Sequence, residues 1–217
     1  ALKTVAEAAG GVKYIPGMKR EEALAFMSEL IQQLGNPDRL LPGGYLYMSD
    51  ILGHPKTLAK IGKLFATAYA DKNVDVVMTV ETKGIPLAYA TAHYLNVPVV
   101  IVRRDNKVTE GSVVSINYVS GSSKRIQTMS LGRRALAEQS RVLIVDDFMK
   151  AGGTLRGMID LLQEFQATVV GCGVLVETTA DVSERLVDEY ISLAKLNDVD
   201  VKGKQIEIAL GSYFDKQ

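Results

Sequence analysis

The sequence is poor in cysteine and histidine and has no excess of either charge. Cys172 is the single cysteine among 217 residues, which excludes an internal disulfide and fits a protein of the reducing cytosol. His54 and His93 stand alone, without metal-ligand spacing, and we expect no metal ligands in the site. The 25 basic and 25 acidic residues cancel, so whole-chain charge gives no case for nucleic-acid binding, although a local basic patch stays open.

Long apolar runs and targeting signals are also missing. No apolar stretch reaches the roughly 20 residues that a membrane-spanning helix needs, and no signal peptide is visible. We therefore expect a cytoplasmic protein with no membrane partner. With 47% hydrophobic and 23% charged residues, the chain is long enough for one well-buried α/β domain plus appendages.

The stretch RVLIVDDFMKAGGTLRGMIDLL, residues 141–162, contains the main functional signal. Residues 142–145 form a short apolar run rich in β-branched side chains, which predicts a buried parallel strand. Asp146 and Asp147 end that run, and Gly-Gly-Thr at 152–154 precedes apolar positions with helical spacing. The predicted order is therefore strand, acidic edge, glycine loop and helix.

A glycine loop that opens a helix is a favourable place for an anion. The unsatisfied N–H groups and the helix dipole both favour negative charge there, and phosphate is the expected anion. The two aspartates would repel a bare phosphate, so they need ribose hydroxyls or a divalent cation as partners. The pattern therefore predicts a ribose 5-phosphate ligand. It is neither a Walker loop nor a dinucleotide fingerprint, and the alternative is an ordinary βα turn.

Strand and helix patterns alternate through the centre of the chain. Strands are predicted at 74–80, 97–102, 142–145 and 168–176, with helices at 85–95 and after the glycine loop. This alternation predicts βαβ units and a twisted, mainly parallel sheet flanked by helices. Elsewhere we expect two extended pieces around a turn within 5–15, amphipathic helices at 21–34 and 55–69, a hairpin within 111–132, a short helix at 181–190 and an edge strand at 206–209.

Other polar groups are predicted to lie beside the aspartate pair, because ligands of such sheets bind beyond the C-terminal ends of the strands. The first strand is followed by Thr82, Lys83 and Gly84. The glycine permits close backbone approach and an unusual peptide geometry, and the lysine supplies a cation. The next strand is followed by Arg103, Arg104 and Lys107. The alternative is a plain Lys-Gly turn and a solvated basic loop.

Four apolar residues, Asp-Asp, two more apolar residues, a variable pair and Gly-Gly-Thr resemble the phosphoribosyl pyrophosphate (PRPP) binding motif of type I phosphoribosyltransferases. The resemblance implies the α/β type I phosphoribosyltransferase fold, with a projecting β-hairpin lid. For ribose and 5′-phosphate it implies Asp146, Asp147, Phe148, Met149, Lys150, Ala151, Gly152, Gly153 and Thr154. For pyrophosphate it implies Thr82, Lys83 and Gly84.

Departures from the active members of that family bear on catalysis. Ala151 replaces a threonine, so a hydroxyl donor is lost, although the charge of Lys150 would offset a hydrogen bond worth about 0.5–1.5 kcal/mol. The residues that the resemblance places on the lid are Tyr118, Lys124 and Arg125. This lid is basic where catalytic members are acidic. No aromatic hood for a base is evident, and the tyrosines available for stacking are Tyr45, Tyr47, Tyr89, Tyr94 and Tyr118. Together these departures favour binding without turnover and no catalytic residue.

Several longer segments are similar to the purine operon repressors of Gram-positive bacteria. They are KYIPGMKREEA, LPGGYLYMSDILG, ETKGIPLAYA, NKVTEGSVVSINYVSGSSKRIQTMSL and VDDFMKAGGT. The resemblance implies a homodimeric effector domain at 16–217 that binds PRPP, and residues 1–15 as the end and linker of a missing N-terminal winged-helix domain that contacts operator DNA. It implies no required cofactor, with Mg²⁺ as an optional companion of PRPP and a diphosphate-bearing nucleotide as a candidate competitor. The alternative is an active adenine or xanthine phosphoribosyltransferase.

Overall fold

A six-stranded, mostly parallel sheet forms the centre of the protein. The computed structural model describes residues 2–5, 11–14, 17–105, 111–120, 125–180, 182–200, 203 and 205–215. Its strands are β1 Leu2–Val5, β2 Gly11–Tyr14, β3 Leu40–Leu41, β4 Tyr45–Leu46, β5 Val76–Val80, β6 Val99–Val102, β7 Val113–Val119, β8 Ile126–Gly132, β9 Arg141–Met149, β10 Thr168–Thr178, β11 Ile191–Asp200 and β12 Gln205–Leu210. Its α-helices are α1 Arg20–Leu34, α2 Ser49–Gly53, α3 Pro55–Ala68, α4 Gly84–Leu95 and α5 Gly153–Glu164.

The order of strands in the sheet is β12-β11-β10-β9-β5-β6, and only the pair β11–β12 is antiparallel. From β5 the chain passes outward to β6, and from β9 it passes in the opposite direction to β10. The boundary between β5 and β9 is therefore the switch point at which sheets of this kind bind ligands. The recorded pairing of β5 with β9 ends at Met78 and Ile144, whereas β9 stays paired with β10 as far as Met149.

Alternation along the buried strands gives the sheet two apolar faces. Val77, Leu143 and Val145 pack under α1 to α4, whereas Met78 and Ile144 pack under α5 and the β7–β8 hairpin. The helices follow from their sequences: α3, for example, has proline in its first turn, and the Nδ1 atom of His54 accepts the N–H of Thr57 at 3.4 Å. Among the described helices, none has the length and hydropathy to cross a membrane.

Most predicted elements are confirmed within a few residues, including the two extended pieces β1 and β2, the helices α1, α3 and α4, the hairpin β7–β8 and the edge strand β12. Two predictions are wrong. The predicted helix at 181–190 is only a short 3-10 turn, Val182–Glu184, followed by irregular chain. The strand β9 does not stop before the aspartates but continues through them to Met149. The strand β11 was not predicted at all.

Candidate functional site

An open cleft of about 470 Å³ lies at the switch point between β5 and β9. It brings the turn after β5 next to the acidic pair and the glycine loop, which lie much later in the chain. The predicted site residues that line it are Thr82, Lys83, Arg104, Asp146, Asp147, Phe148, Met149, Lys150, Ala151, Gly152, Gly153 and Thr154. Tyr45, one of the tyrosines named as available for stacking, also lines it, and the lining residues that were not predicted are Val80, Glu81, Asp105 and Leu155.

The acidic pair occupies the floor of the cleft and is largely withdrawn from water. Asp146 is 7% exposed, and its Oδ1 atom accepts the N–H of Asp147 at 2.9 Å. Burial raises the pKa of Asp146 well above its ordinary value, and the neighbouring Asp147 carboxylate raises it further. Burial also raises the pKa of Asp147, while Lys83 and Arg104 act in the opposite direction. Ligand hydroxyls that donate to the two carboxylates would compensate for this desolvation.

The turn after β5 approaches the acidic pair closely. At Gly84, which begins α4, an added Cβ atom would lie 2.2 Å from Thr79 Oγ1 and 3.2 Å from Asp146 Oδ1. A larger residue there would displace the Thr79 side chain or the Asp146 carboxylate. The peptide bond between Glu81 and Thr82 is cis, and Lys83 faces the cleft.

The glycine loop connects β9 to α5. Gly152 has φ of +86°, a left-handed conformation that favours glycine, and α5 begins at the next residue. The first N–H groups of a helix have no partners within the helix, so this loop offers donors to an anion in the cleft.

Lys150 is directed to the far wall of the cleft. Its Nζ atom donates to the Gly43 carbonyl at 2.8 Å and lies 3.9 Å from the centre of the Tyr45 ring. The prediction that this charge replaces the hydroxyl missing at Ala151 therefore finds no support in the geometry. The Lys150 ammonium instead connects the 42–46 segment to the glycine loop, through its contacts with Gly43 and Tyr45.

A second cavity, of about 340 Å³, adjoins the cleft. It shares Tyr45, Lys83, Asp147 and Phe148 with the cleft. Its other lining residues are Leu41, Pro42, Leu46 and Met48. The rings of Tyr45 and Phe148 are 5.6 Å apart and tilted by 44°. An aromatic surface thus borders the site. The sequence alone did not show that Tyr45 and Phe148, which are far apart in the chain, lie side by side.

The predicted basic edge and lid are brought to the cleft only in part. Arg104 lines it. The Nη1 atom of Arg103 instead donates to Glu81 Oε2 at 3.1 Å, and the second oxygen of that carboxylate accepts the Arg104 N–H at 2.7 Å. Lys107 and Lys124 lie outside the described residues.

Tyr118, which the resemblance assigns to the lid, does not line the cleft in this structure. The residue is 6% exposed, its ring packs against Gly157 of α5, and its hydroxyl donates to Gln127 Oε1 at 2.8 Å. Arg125 lies in the hairpin beside the described end of β7, where its carbonyl accepts the Ser120 N–H at 2.9 Å, and it does not line the cleft. The described part of the hairpin therefore packs on the body of the protein.

Known proteins resemble this chain over most of its length. The family model described as "Phosphoribosyl transferase domain" matches residues 48–209. The purine biosynthesis transcriptional repressor PurR of Bacillus subtilis (strain 168) is 66% identical over 213 residues, which cover 98% of this chain and 74% of that protein. The purine biosynthesis transcriptional activator PurR of Lactococcus lactis subsp. lactis (strain IL1403) is 46% identical over 214 residues, covering 99% and 79%.

Enzymes with this fold are more distant. Xanthine phosphoribosyltransferase of Streptococcus equi subsp. zooepidemicus (strain H70) is 31% identical over 150 residues, which cover 67% of this chain and 78% of that enzyme. The crystal structure of adenine phosphoribosyltransferase from Rhodothermus marinus DSM 4252 superposes with a TM-score of 0.70 at 24% identity, covering 79% of this chain and 99% of that one. This chain belongs to the phosphoribosyltransferase family, within the group of the PurR transcriptional regulators.

Proposed function

We propose that this chain is the PRPP-sensing effector region of a transcriptional repressor of purine biosynthesis genes, and that it binds its ligand without turnover. The observation that carries the proposal is the single cleft in which the aspartate pair, the glycine loop and the Thr82–Lys83 turn meet. PRPP has three kinds of group that need partners, namely a 5′-phosphate, vicinal hydroxyls and a pyrophosphate. The cleft offers a complementary surface to each.

The ligand is proposed to lie along the edge of the sheet. Its 5′-phosphate binds the N–H groups of residues 151–154, and its hydroxyls donate to Asp146 and Asp147. Its pyrophosphate binds at Thr82, Lys83 and Gly84, close to Arg104. Mg²⁺ would enter with the pyrophosphate, since this ion binds through substrate phosphates and keeps several waters. Among the described residues, no group of three carboxylate, histidine or cysteine side chains could hold a metal alone.

The readout is proposed to be a change in DNA affinity. The chain would follow an N-terminal winged-helix domain, of which residues 1–15 are the end and linker, and it would act as a homodimer. PRPP occupancy would neutralise cations such as Lys83 and Arg104 and order the lid. Ligand and operator phosphates would then compete electrostatically for the same basic surface. We expect PRPP to weaken operator binding by the full-length protein, and unchanged affinity would contradict this step.

The named relatives and the composition of the loop both favour binding without turnover. Relatives of 46% and 66% identity are named transcriptional regulators, whereas the xanthine enzyme shares only 31%. Within the loop, Ala151 brings no hydroxyl, and the Lys150 ammonium is engaged with the Gly43 carbonyl.

The apolar cavity beside the cleft favours a second candidate function, an adenine or xanthine phosphoribosyltransferase. Its walls at Tyr45 and Phe148 have the chemistry to hold a planar base next to C1 of the ribose. The same cavity suits the base of a nucleotide whose diphosphate occupies the PRPP cleft. We propose that such a nucleotide competes with PRPP for the cleft. Displacement of bound PRPP by the nucleotide tests this.

One paired experiment separates sensor from enzyme. The chain is melted with and without PRPP and Mg²⁺, and pyrophosphate release is assayed with each common purine base. At a hundredfold excess over its dissociation constant, PRPP should add about 2.7 kcal/mol, or about 5 to 10 °C. A shift without pyrophosphate release supports the sensor. Release with any base would overturn it in favour of the enzyme, and no shift would remove the ligand assignment.

A further inference from the structure

The glycine loop is held from outside the cleft by the irregular segment that follows residues 182–184. Arg185 Nη1 donates to the Lys150 carbonyl, and the Leu186 N–H donates to the Ala151 carbonyl at 2.9 Å. Val187, which is 6% exposed, completes the contact: a Cβ atom on Gly152 would lie 3.6 Å from its Cγ2 atom. Two consecutive carbonyls of the loop are therefore occupied by two consecutive residues of this segment.

The direction of those carbonyls determines the direction of the next amides. In a planar trans peptide, the C=O of one residue and the N–H of the following residue point in opposite directions. Because the Lys150 and Ala151 carbonyls face residues 185–186, the N–H groups of Ala151 and Gly152 face away from them. Ala151 and Gly152 line the cleft, whereas Arg185 and Leu186 do not.

Arg185 is itself fixed by a buried polar network at the end of β10. Its Nη2 atom donates to the Thr178 carbonyl at 2.7 Å and to Glu177 Oε2 at 3.3 Å, and the side chains of Arg185 and Glu177 are only 9% and 5% exposed. The carboxylate of Glu177 also accepts the Tyr190 hydroxyl at 2.5 Å and the Ser192 hydroxyl at 2.6 Å. A buried charge pair with this many donors has little freedom to reorient.

We propose that Arg185, held by Glu177, is a positioning residue that aims the Ala151 amide at the 5′-phosphate, next to the Gly152 amide that the Leu186 N–H orients through the Ala151 carbonyl. The inference rests on the proposed function and deepens it, because it assigns the affinity of one ligand subsite to a side chain outside the cleft. The effect is confined to the phosphate end. The turn at Thr82 and Lys83, at the pyrophosphate end, is positioned by β5 and α4 instead.

Two small probes separate the two ends of the cleft. Ribose 5-phosphate tests the loop and the aspartates, whereas inorganic pyrophosphate with Mg²⁺ tests the Lys83 turn. Calorimetric titration of Arg185→Gln should show affinity for ribose 5-phosphate lowered about tenfold or more, with pyrophosphate affinity within about twofold of wild type. The matched control is Arg156→Gln, because Arg156 is an exposed arginine in α5 whose recorded ion pair is with Asp160, and both affinities should stay within about twofold.

Glu177→Gln provides a second variant for the case in which Arg185→Gln loses its cooperative melt. It retains the arginine but loosens its anchor, and we expect ribose 5-phosphate affinity to fall about threefold or more while pyrophosphate affinity is unchanged. Unchanged ribose 5-phosphate affinity in a folded variant, or equal loss of both probes, would overturn the inference. A wild-type chain that binds neither probe would instead overturn the proposed function, which distinguishes the two failures.

Discussion

The acidic edge with its glycine loop and the β7–β8 hairpin show two different relations between sequence and site. All nine residues predicted around the loop line the cleft, because backbone geometry at the end of one strand positions them together. Of the hairpin residues, Tyr118 is turned into the core and Arg125 lies away from the cleft. A site made from consecutive backbone groups can therefore be predicted from a short stretch of sequence. A site made from side chains of a projecting element depends on what that element packs against.

The largest effect should come from neutralising the acidic pair. In Asp146→Asn/Asp147→Asn, each amide replaces a charged acceptor of a ribose hydroxyl, and the two losses together should lower PRPP affinity about a thousandfold. The protein should still melt cooperatively, because the side chains keep their shape. Calorimetric titration measures the affinity, with Asp160→Asn on the exposed face of α5 as the control. Retained PRPP affinity in the double variant would show that the ligand site has been assigned wrongly.

The hairpin should give the opposite result, a loss of stability without a loss of affinity. Tyr118→Ala removes a ring buried against Gly157 and Met129, and we expect the free energy of unfolding to fall by about 3 kcal/mol. Chemical denaturation measures this change, and PRPP titration of the folded variant should match wild type. Tyr118→Phe, which loses only the hydrogen bond to Gln127, should cost about 1 kcal/mol. A large loss of PRPP affinity in either variant would show that Tyr118 contacts the ligand.

The two adjacent arginines, Arg103 and Arg104, should differ in their effect on PRPP affinity. Arg104 lines the cleft, so Arg104→Gln should lower PRPP affinity about tenfold, with a weaker dependence on salt concentration. Arg103 pairs with Glu81, so Arg103→Gln should change affinity by about threefold or less. Titrations at two salt concentrations measure both effects. Equal losses in the two variants would show that only the summed charge of this edge matters.

These contrasts also explain how far the sequence could be interpreted. The parallel sheet, the aspartates and the loop could be predicted, because the period of apolar residues and the position of the glycines can be seen within short stretches of sequence. The strand β11 was missed because Ile191, Leu193, Ala194 and Leu196 mix two- and three-residue spacings. Arg185 could not be assigned a role, since its partners at residues 150, 177 and 178 meet it only after β9 and β10 have paired.

The smallest predicted effect is a dependence of stability on pH that has its origin at Asp146. Its pKa is raised in the folded protein by burial and by Asp147, so the folded state holds a proton that the unfolded state releases. The contribution is therefore favourable at low pH, and it is lost as pH rises from the ordinary carboxyl value of about 4 through the raised folded value. Asp146→Asn removes this dependence, while its amide oxygen can still accept the Asp147 N–H.

Without ligand, the melting temperatures of Asp146→Asn and wild type should therefore coincide below about pH 3, where the wild-type carboxyl is protonated in both the folded and the unfolded state. Toward neutral pH the variant should become the more stable of the two, by about 2 to 4 °C. Thermal melts across that range measure the difference. A variant that is less stable at neutral pH would show that the ionised carboxylate stabilises the empty cleft. A higher melting temperature combined with lost PRPP affinity would show that the folded protein maintains a buried charge at a cost in stability because the ligand requires it.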